Sequence, residues 1–127
     1  MAVLLDDSIT PNIWASFKNP LSDVLTELLG TSEVRANFIT FGNTGAKSIF
    51  YGSTYKDITN KNYGSEMGKA PGIKKINSAL NMSIEFFNSF NFPINETSKN
   101  IIIFSAGNVE PITDQIRLLI KDNYNVI

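Results

Sequence analysis

Ala2-Val3-Leu4-Leu5-Asp6-Asp7-Ser8-Ile9-Thr10 decides the reading of this chain. Four successive apolar residues, with no polar alternation, form a strand buried on both faces, the usual state of a strand inside a parallel sheet. The run then turns abruptly polar as Asp-x-Ser-x-Thr. In sheets of this kind ligands gather just past the carboxyl ends of the strands. A carboxylate and two hydroxyls at alternate positions of a tight turn can aim oxygens at one place, and oxygen donors suit Mg²⁺, Mn²⁺ or Ca²⁺.

Outward from that stretch, helices and strands alternate. Thr10-Pro11 is a helix N-cap with proline at the first helical position. Ile13, Trp14, Phe17, Leu21, Val24, Leu25, Leu28 and Leu29 make one apolar stripe, which Pro20 interrupts or kinks and Gly30 ends. Val34 to Phe41 is a second strand, Gly42 to Ala46 a polar turn, and Lys47 to Tyr51 a third strand paired with the second as a hairpin. Residues 52–72 are polar and punctuated by Gly and Pro, hence loop. Ile73, Ile76, Leu80, Ile84 and Phe87 predict a helix from about Ile73 to Phe90. Asn100 to Phe104 is the most strongly β segment and reads as a central parallel strand. Pro111 opens a helix carrying Ile112, Ile116, Leu119 and Ile120, and a last strand begins near Asn123 and Tyr124.

The order βαββαβαβ implies an α/β fold: a doubly wound, mostly parallel sheet with helices on both faces and one antiparallel edge strand. The expected strand order is third, second, first, fourth, fifth. Phe86, Phe87 and Phe90, with Trp14 and Phe17, are candidate core aromatics.

Composition excludes much chemistry. The 127 residues contain no cysteine and no histidine, which removes disulfides, thiol nucleophiles, imidazole catalysis and His- or Cys-ligated metals. Eleven Lys+Arg against twelve Asp+Glu give a net charge of −1, so no basic excess exists to neutralise a nucleic-acid backbone. No apolar run approaches the ~20 residues of a membrane span, and the first five residues are too short for a signal peptide. Gly42-Asn43-Thr44-Gly45-Ala46-Lys47-Ser48 suggests a phosphate loop but fails as one. Phe41 and Ala46 stand where glycines are required, and a strand follows instead of a helix. Asn81-Met82-Ser83 and Asn95-Glu96-Thr97 are formal N-glycosylation triplets among 15 asparagines. Asn81 falls in a predicted helix, and Asn95, in a loop beside Pro93, is the better acceptor if the chain is secreted.

On these residues the chain resembles a von Willebrand factor A (VWA) domain over nearly its whole length. That family's metal-ion-dependent adhesion site begins with Asp-x-Ser-x-Ser or Thr after the first strand. Val34 to Tyr51 is similar to the family's second and edge strands. Gly72 to Leu80 is placed like its Gly-Gly-Thr segment leading into a helix, and Ile101 to Gly107 like its fourth strand and Thr-Asp-Gly turn. The resemblance implies a single domain over residues 1–127 that lacks the family's last strand and helices. It also implies a non-enzymatic adhesion or protein-binding role in an extracellular setting, with Asp6, Ser8 and Thr10 as metal ligands and Gly72 and Gly107 admitting backbone to the site.

The departures lie in the other two loops. Lys74 falls where the family has its metal-contacting threonine, and Ala106, within Ser105-Ala106-Gly107, where it has a carboxylate. Lys74 reads either as a solvated lysine in a first helical turn or as an ammonium sitting where the cation would, neutralising Asp6. Glu110 either replaces the lost carboxylate from the same rim or is a surface-loop glutamate. The expected rim is thus Lys74, Gly72, Ser105, Gly107 and Glu110, with no cofactor or a weakly bound Mg²⁺. A protein ligand is the expected partner, and an uncovered sheet edge would let copies self-associate. The alternatives are a Mg²⁺-dependent phosphate- or nucleotide-binding enzyme domain, with Asp6 and Asp7 on the metal and Lys74 on phosphate, or a degenerate scaffold domain.

Overall fold

A computed structural model describes residues 2–10, 12–13, 15–16, 19–20, 23, 27, 36–52, 72–89, 99–105, 108–121 and 124–127. Five strands, β1 (Ala2–Asp6), β2 (Ala36–Gly42), β3 (Gly45–Gly52), β4 (Asn100–Phe104) and β5 (Asn125–Val126), form one sheet in the order β3-β2-β1-β4-β5. β1 pairs in parallel with both β2 and β4, and β4 in parallel with β5. Only β2 and β3 are antiparallel. The fold is therefore α/β on a mixed, mostly parallel sheet, in the strand order expected from the sequence.

The central place of β1 explains its composition. Ala2, Val3, Leu4 and Leu5 are all completely buried. Ala2 and Leu4 face one side, where they join Ile39, Phe41 and Ile101 in a core with helices α1 (Ile76–Asn88) and α2 (Asp114–Ile120). Val3, Leu5 and Phe38 point to the other side and are equally buried, so both faces are covered. Each such side chain contributes roughly 1.5–3 kcal/mol of burial free energy. Between positions 12 and 27 the described residues are helical and exposed, including Asn19 and Pro20. Trp14, Phe17, Phe90 and Asn95 lie outside the described residues. No described helix is long and apolar enough to cross a membrane.

The elements depart from the sequence reading in instructive places. The hairpin turn is Asn43-Thr44 alone, tighter than the expected Gly42–Ala46, with Gly45 at φ +140° leading the chain into β3. Helix α1 begins at Ile76, not Ile73. Ile73 is 60 % exposed, and Lys74 lies in extended backbone that forms a parallel bridge with Val109. Pro111 precedes α2 rather than opening it. Thr113 is the N-cap, its hydroxyl accepting from Ile116 N at 3.4 Å, with Asp114 in the first turn to suit the helix dipole. In the glycosylation triplet on α1, Asn81 is exposed, but the Ser83 hydroxyl is buried and donates to the Ala79 carbonyl. Asn37, unremarked in the sequence, is fully buried on β2. Its Oδ1 accepts from Ser48 Oγ at 2.5 Å, and its Nδ2 has no hydrogen-bond partner.

Candidate functional site

Asp6 is the last residue of β1 and is completely buried. Its Oδ1 accepts two hydrogen bonds from Ser8, from the backbone N at 2.8 Å and from Oγ at 2.7 Å. This carboxylate-led turn is the local reason that Asp and Ser stand two apart here. Asp6 Oδ2 accepts from Ser105 Oγ at 3.1 Å, which reaches across from the end of β4. Ile9 N closes the turn on the Asp6 carbonyl, and Ile9 is itself buried, anchoring the chain as it leaves.

Into this strand end comes Lys74, 1 % exposed. Its Nζ donates to Asp7 Oδ1 at 2.5 Å and lies 4.0 Å from Asp6 Oδ1. Two segments hold this stretch of backbone through three hydrogen bonds. Lys74 N donates to Asn108 O, Glu110 N donates to the Lys74 carbonyl, and Lys75 N donates to the Gly42 carbonyl. The loops after β2 and β4 thus clamp the segment ahead of α1 and steer the lysine inward, to the carboxyl end of β1. A buried ammonium is tolerated only with opposite charge at hand, and two carboxylates supply it. This corrects the solvated first-turn placement: the residue is neither helical nor exposed. The alternative sequence reading had the ammonium neutralising Asp6; the structure pairs it with Asp6 at 4.0 Å and gives it a hydrogen bond to Asp7 as well.

Asp6, Ser8, Lys74 and Ser105 are therefore brought together. Thr10 is not part of that cluster: it is exposed, and its Oγ1 accepts from Ile13 N at 3.3 Å as a helix cap. Gly72 is exposed and abuts the Asn43 side chain, which a Cβ at position 72 would meet at 3.0 Å. Glu110 is engaged elsewhere. Its Oε1 accepts from Asn77 N at the start of α1, and its Oε2 lies 3.8 Å from Lys75 Nζ. Asn77 in turn donates to the Pro111 carbonyl and accepts from Thr113 N, so Glu110 and Asn77 tie the start of α1 to the loop before α2. Ala106 and Gly107 lie outside the described residues.

Two residues of the site escaped the sequence reading. Asp7 entered only as a metal ligand in the enzyme alternative, yet it is the direct partner of Lys74. Gly42 was read as a turn residue. A Cβ there would overlap Asp7 Oδ2 and come 2.8 Å from Asp7 Cγ, so the carboxylate occupies the space that a side chain at position 42 would take. The signal was a glycine directly at the end of a buried strand, beside the first loop.

Among the described residues no group of three or more acidic side chains converges as a metal site. The nearest approach is the pair Asp6 and Asp7, and the Lys74 ammonium already stands at it. No protein-family model matches this chain, and no curated protein matches it significantly.

Proposed function

We propose that this chain is a non-enzymatic protein-binding module, similar in plan to a VWA domain, whose rim at the strand ends works without a divalent cation. The observation carrying this reading is the Lys74 ammonium between Asp7 and Asp6. The donors present do not fit a hard divalent ion. Both oxygens of Asp6 accept from serine hydroxyls, Thr10 caps a helix, and Asp7 Oδ1 is taken by the ammonium. A divalent ion about 4 Å from that ammonium is repelled by about 2 kcal/mol in water and about 8 at an effective dielectric of 20. The same pairing counts against the phosphate-binding alternative, because Lys74 is committed to Asp7.

Titration calorimetry with Mg²⁺ and Mn²⁺ tests the reading. The wild-type chain should give no binding heat at millimolar metal, whereas Lys74→Thr combined with Ala106→Asp should bind. Tight Mg²⁺ binding by the wild-type chain would overturn the metal-free site. Saturable binding of inorganic phosphate or of Mg²⁺ with ATP would move the function to the phosphate-binding alternative.

A further inference from the structure

We propose that the outer edge of β5 is an interface for a second copy of this chain, paired antiparallel across a two-fold axis at Val126 so that two five-stranded sheets join into one. The inference goes beyond the metal-free reading of the rim and does not depend on it. Asn125 N donates to Lys99 O at 2.8 Å, Ile127 N donates to Ile101 O at 2.9 Å, and Ile127 O accepts from Ile103 N at 3.0 Å. Residues 125 and 127 therefore turn their backbone groups towards β4, and the alternation of a strand turns both groups of Val126 the other way. Val126 is exposed, and its N–H and C=O have no hydrogen-bond partner among the described residues. What satisfies such groups is another extended backbone.

Self-complementarity selects a second copy as that backbone. An antiparallel pair on a two-fold axis exchanges N–H···O bonds between the same residue of each chain, and Val126 offers both a donor and an acceptor on its outer side. Moving the axis to Asn125 would set Val126 O against Tyr124 N of the other copy, and Tyr124 N is already spent on Ile120 O at 3.2 Å. With the axis at Val126, both of its groups are paired. Tyr124-Asn125-Val126-Ile127 has no charged side chain, so two copies meet here without like-charge repulsion. The opposite edge, β3, is a poorer partner because exposed Lys47 guards it. The strand is also held in place beforehand. Asn125 Nδ2 donates to Asn100 Oδ1 at 3.1 Å, and the Tyr124 ring packs on Phe87 with centroids 5.3 Å apart, so little ordering remains to be done on association.

The chain contains no cysteine, so a single introduced one reports the contact. Antiparallel partners that exchange hydrogen bonds have Cα atoms about 5.5 Å apart, within disulfide reach. In the full chain, Val126→Cys should therefore form a disulfide dimer in mild oxidant. Asn125→Cys, displaced from the axis, and Lys47→Cys, on the opposite edge, should stay monomeric over the same time. Proline is tolerated at an edge position whose N–H faces outward, so Val126→Pro removes the donor and leaves the β4 ladder intact. It should abolish the concentration dependence of sedimentation while the melting temperature stays near that of wild type. A Val126→Cys chain that stays monomeric, or a Val126→Pro chain that associates as strongly as wild type, overturns the proposal. Faster crosslinking through Asn125→Cys overturns the Val126 register, and crosslinking between mixed Val126→Cys and Lys47→Cys chains overturns the two-fold pairing in favour of head-to-tail assembly. None of these outcomes bears on Mg²⁺ calorimetry, so this inference and the metal-free reading fail separately.

Discussion

Lys74 and Asp7, 67 positions apart in the chain, share a 2.5 Å hydrogen bond at the carboxyl end of the central strand. The pair joins the loop after β1 to the segment that launches α1, and Asp6 stands behind it at 4.0 Å. An internal cation thus organises a strand end whose two adjacent carboxylates would otherwise repel each other.

Removing that cation should be costly. Lys74→Met keeps the length and apolar stem of the side chain but leaves Asp6 and Asp7 facing each other. Asp7 can turn partly to water, but Asp6 cannot. The expected loss is about 3 kcal/mol in denaturant unfolding, at the lower end for a broken buried pair because Asp7 is partly exposed. The Asp7→Asn change should cost less, since an amide oxygen still accepts from the ammonium.

Gly42 and Gly72 make a paired comparison. At Gly42 a methyl would overlap the Asp7 carboxylate, a group pinned by Lys74, so Gly42→Ala should destabilise by about 1–3 kcal/mol. At Gly72 the methyl meets only the exposed Asn43 side chain, which can swing away. Gly72→Ala should lie within about 0.5 kcal/mol of wild type, as surface changes do. Equal losses at the two positions would mean that Asp7 is not held as described.

Much of this molecule was legible in its sequence. Four consecutive apolar residues at Ala2–Leu5 fit only a strand covered on both faces, and that placed β1 at the centre and fixed the order around it. The hairpin followed from the polar stretch Gly42–Ala46 between two strand-like runs, though not the tightness of its turn. Lys74 was legible as an oddity with two readings, a solvated first-turn lysine or an ammonium at the cation position, and local sequence did not decide between them. Ile73, Ile76 and Leu80 step at helical intervals, and a helix begun at Ile73 puts Lys74 in a solvated turn. What turns the lysine inward is backbone pairing with Asn108, Val109 and Glu110, a contact between distant loops that no local periodicity records. Glu110 was obscured for the same reason, because its role at Asn77 depends on where α1 starts. Asn37 reads as an ordinary strand residue, since a buried polar partner such as Ser48 comes from hairpin register rather than composition.

Tyr124 should make stability fall at alkaline pH. Its ring packs on Phe87 with centroids 5.3 Å apart, and burial raises its pKa above the ordinary value near 10. A pKa raised in the folded state means that folding favours the neutral phenol. The contribution is complete below the unfolded pKa and is lost as pH rises through the folded one. Melting temperature should hold until about pH 9.5 and then decline, and Tyr124→Phe should flatten that decline. A Tyr124→Phe profile identical to wild type up to pH 11 would remove Tyr124 as a source.

The two edges of the sheet are unequally protected, and this predicts how the protein behaves at high concentration. The β3 edge carries exposed Lys47, and a register shift at Phe38/Ile39 interrupts its pairing with β2. Charge and irregularity are the usual guards of an open edge. On β5 neither is present. Tyr124-Asn125-Val126-Ile127 has no charged side chain, Val126 is 43 % exposed and Ile127 71 %. Ile127 continues the ladder with β4, donating to Ile101 O at 2.9 Å and accepting from Ile103 N at 3.0 Å, so the backbone is already extended and aligned. Among the described residues no strand covers its outer side. Helix α2, which leads into this strand, exposes Leu118 as well. Sedimentation velocity should therefore show a sedimentation coefficient that rises with protein concentration. Val126→Lys, on an exposed position, should restore the monomer with little change in melting temperature. A wild-type chain that stays monomeric at millimolar concentration, or a Val126→Lys variant that associates as strongly, would show that this edge is not the contact.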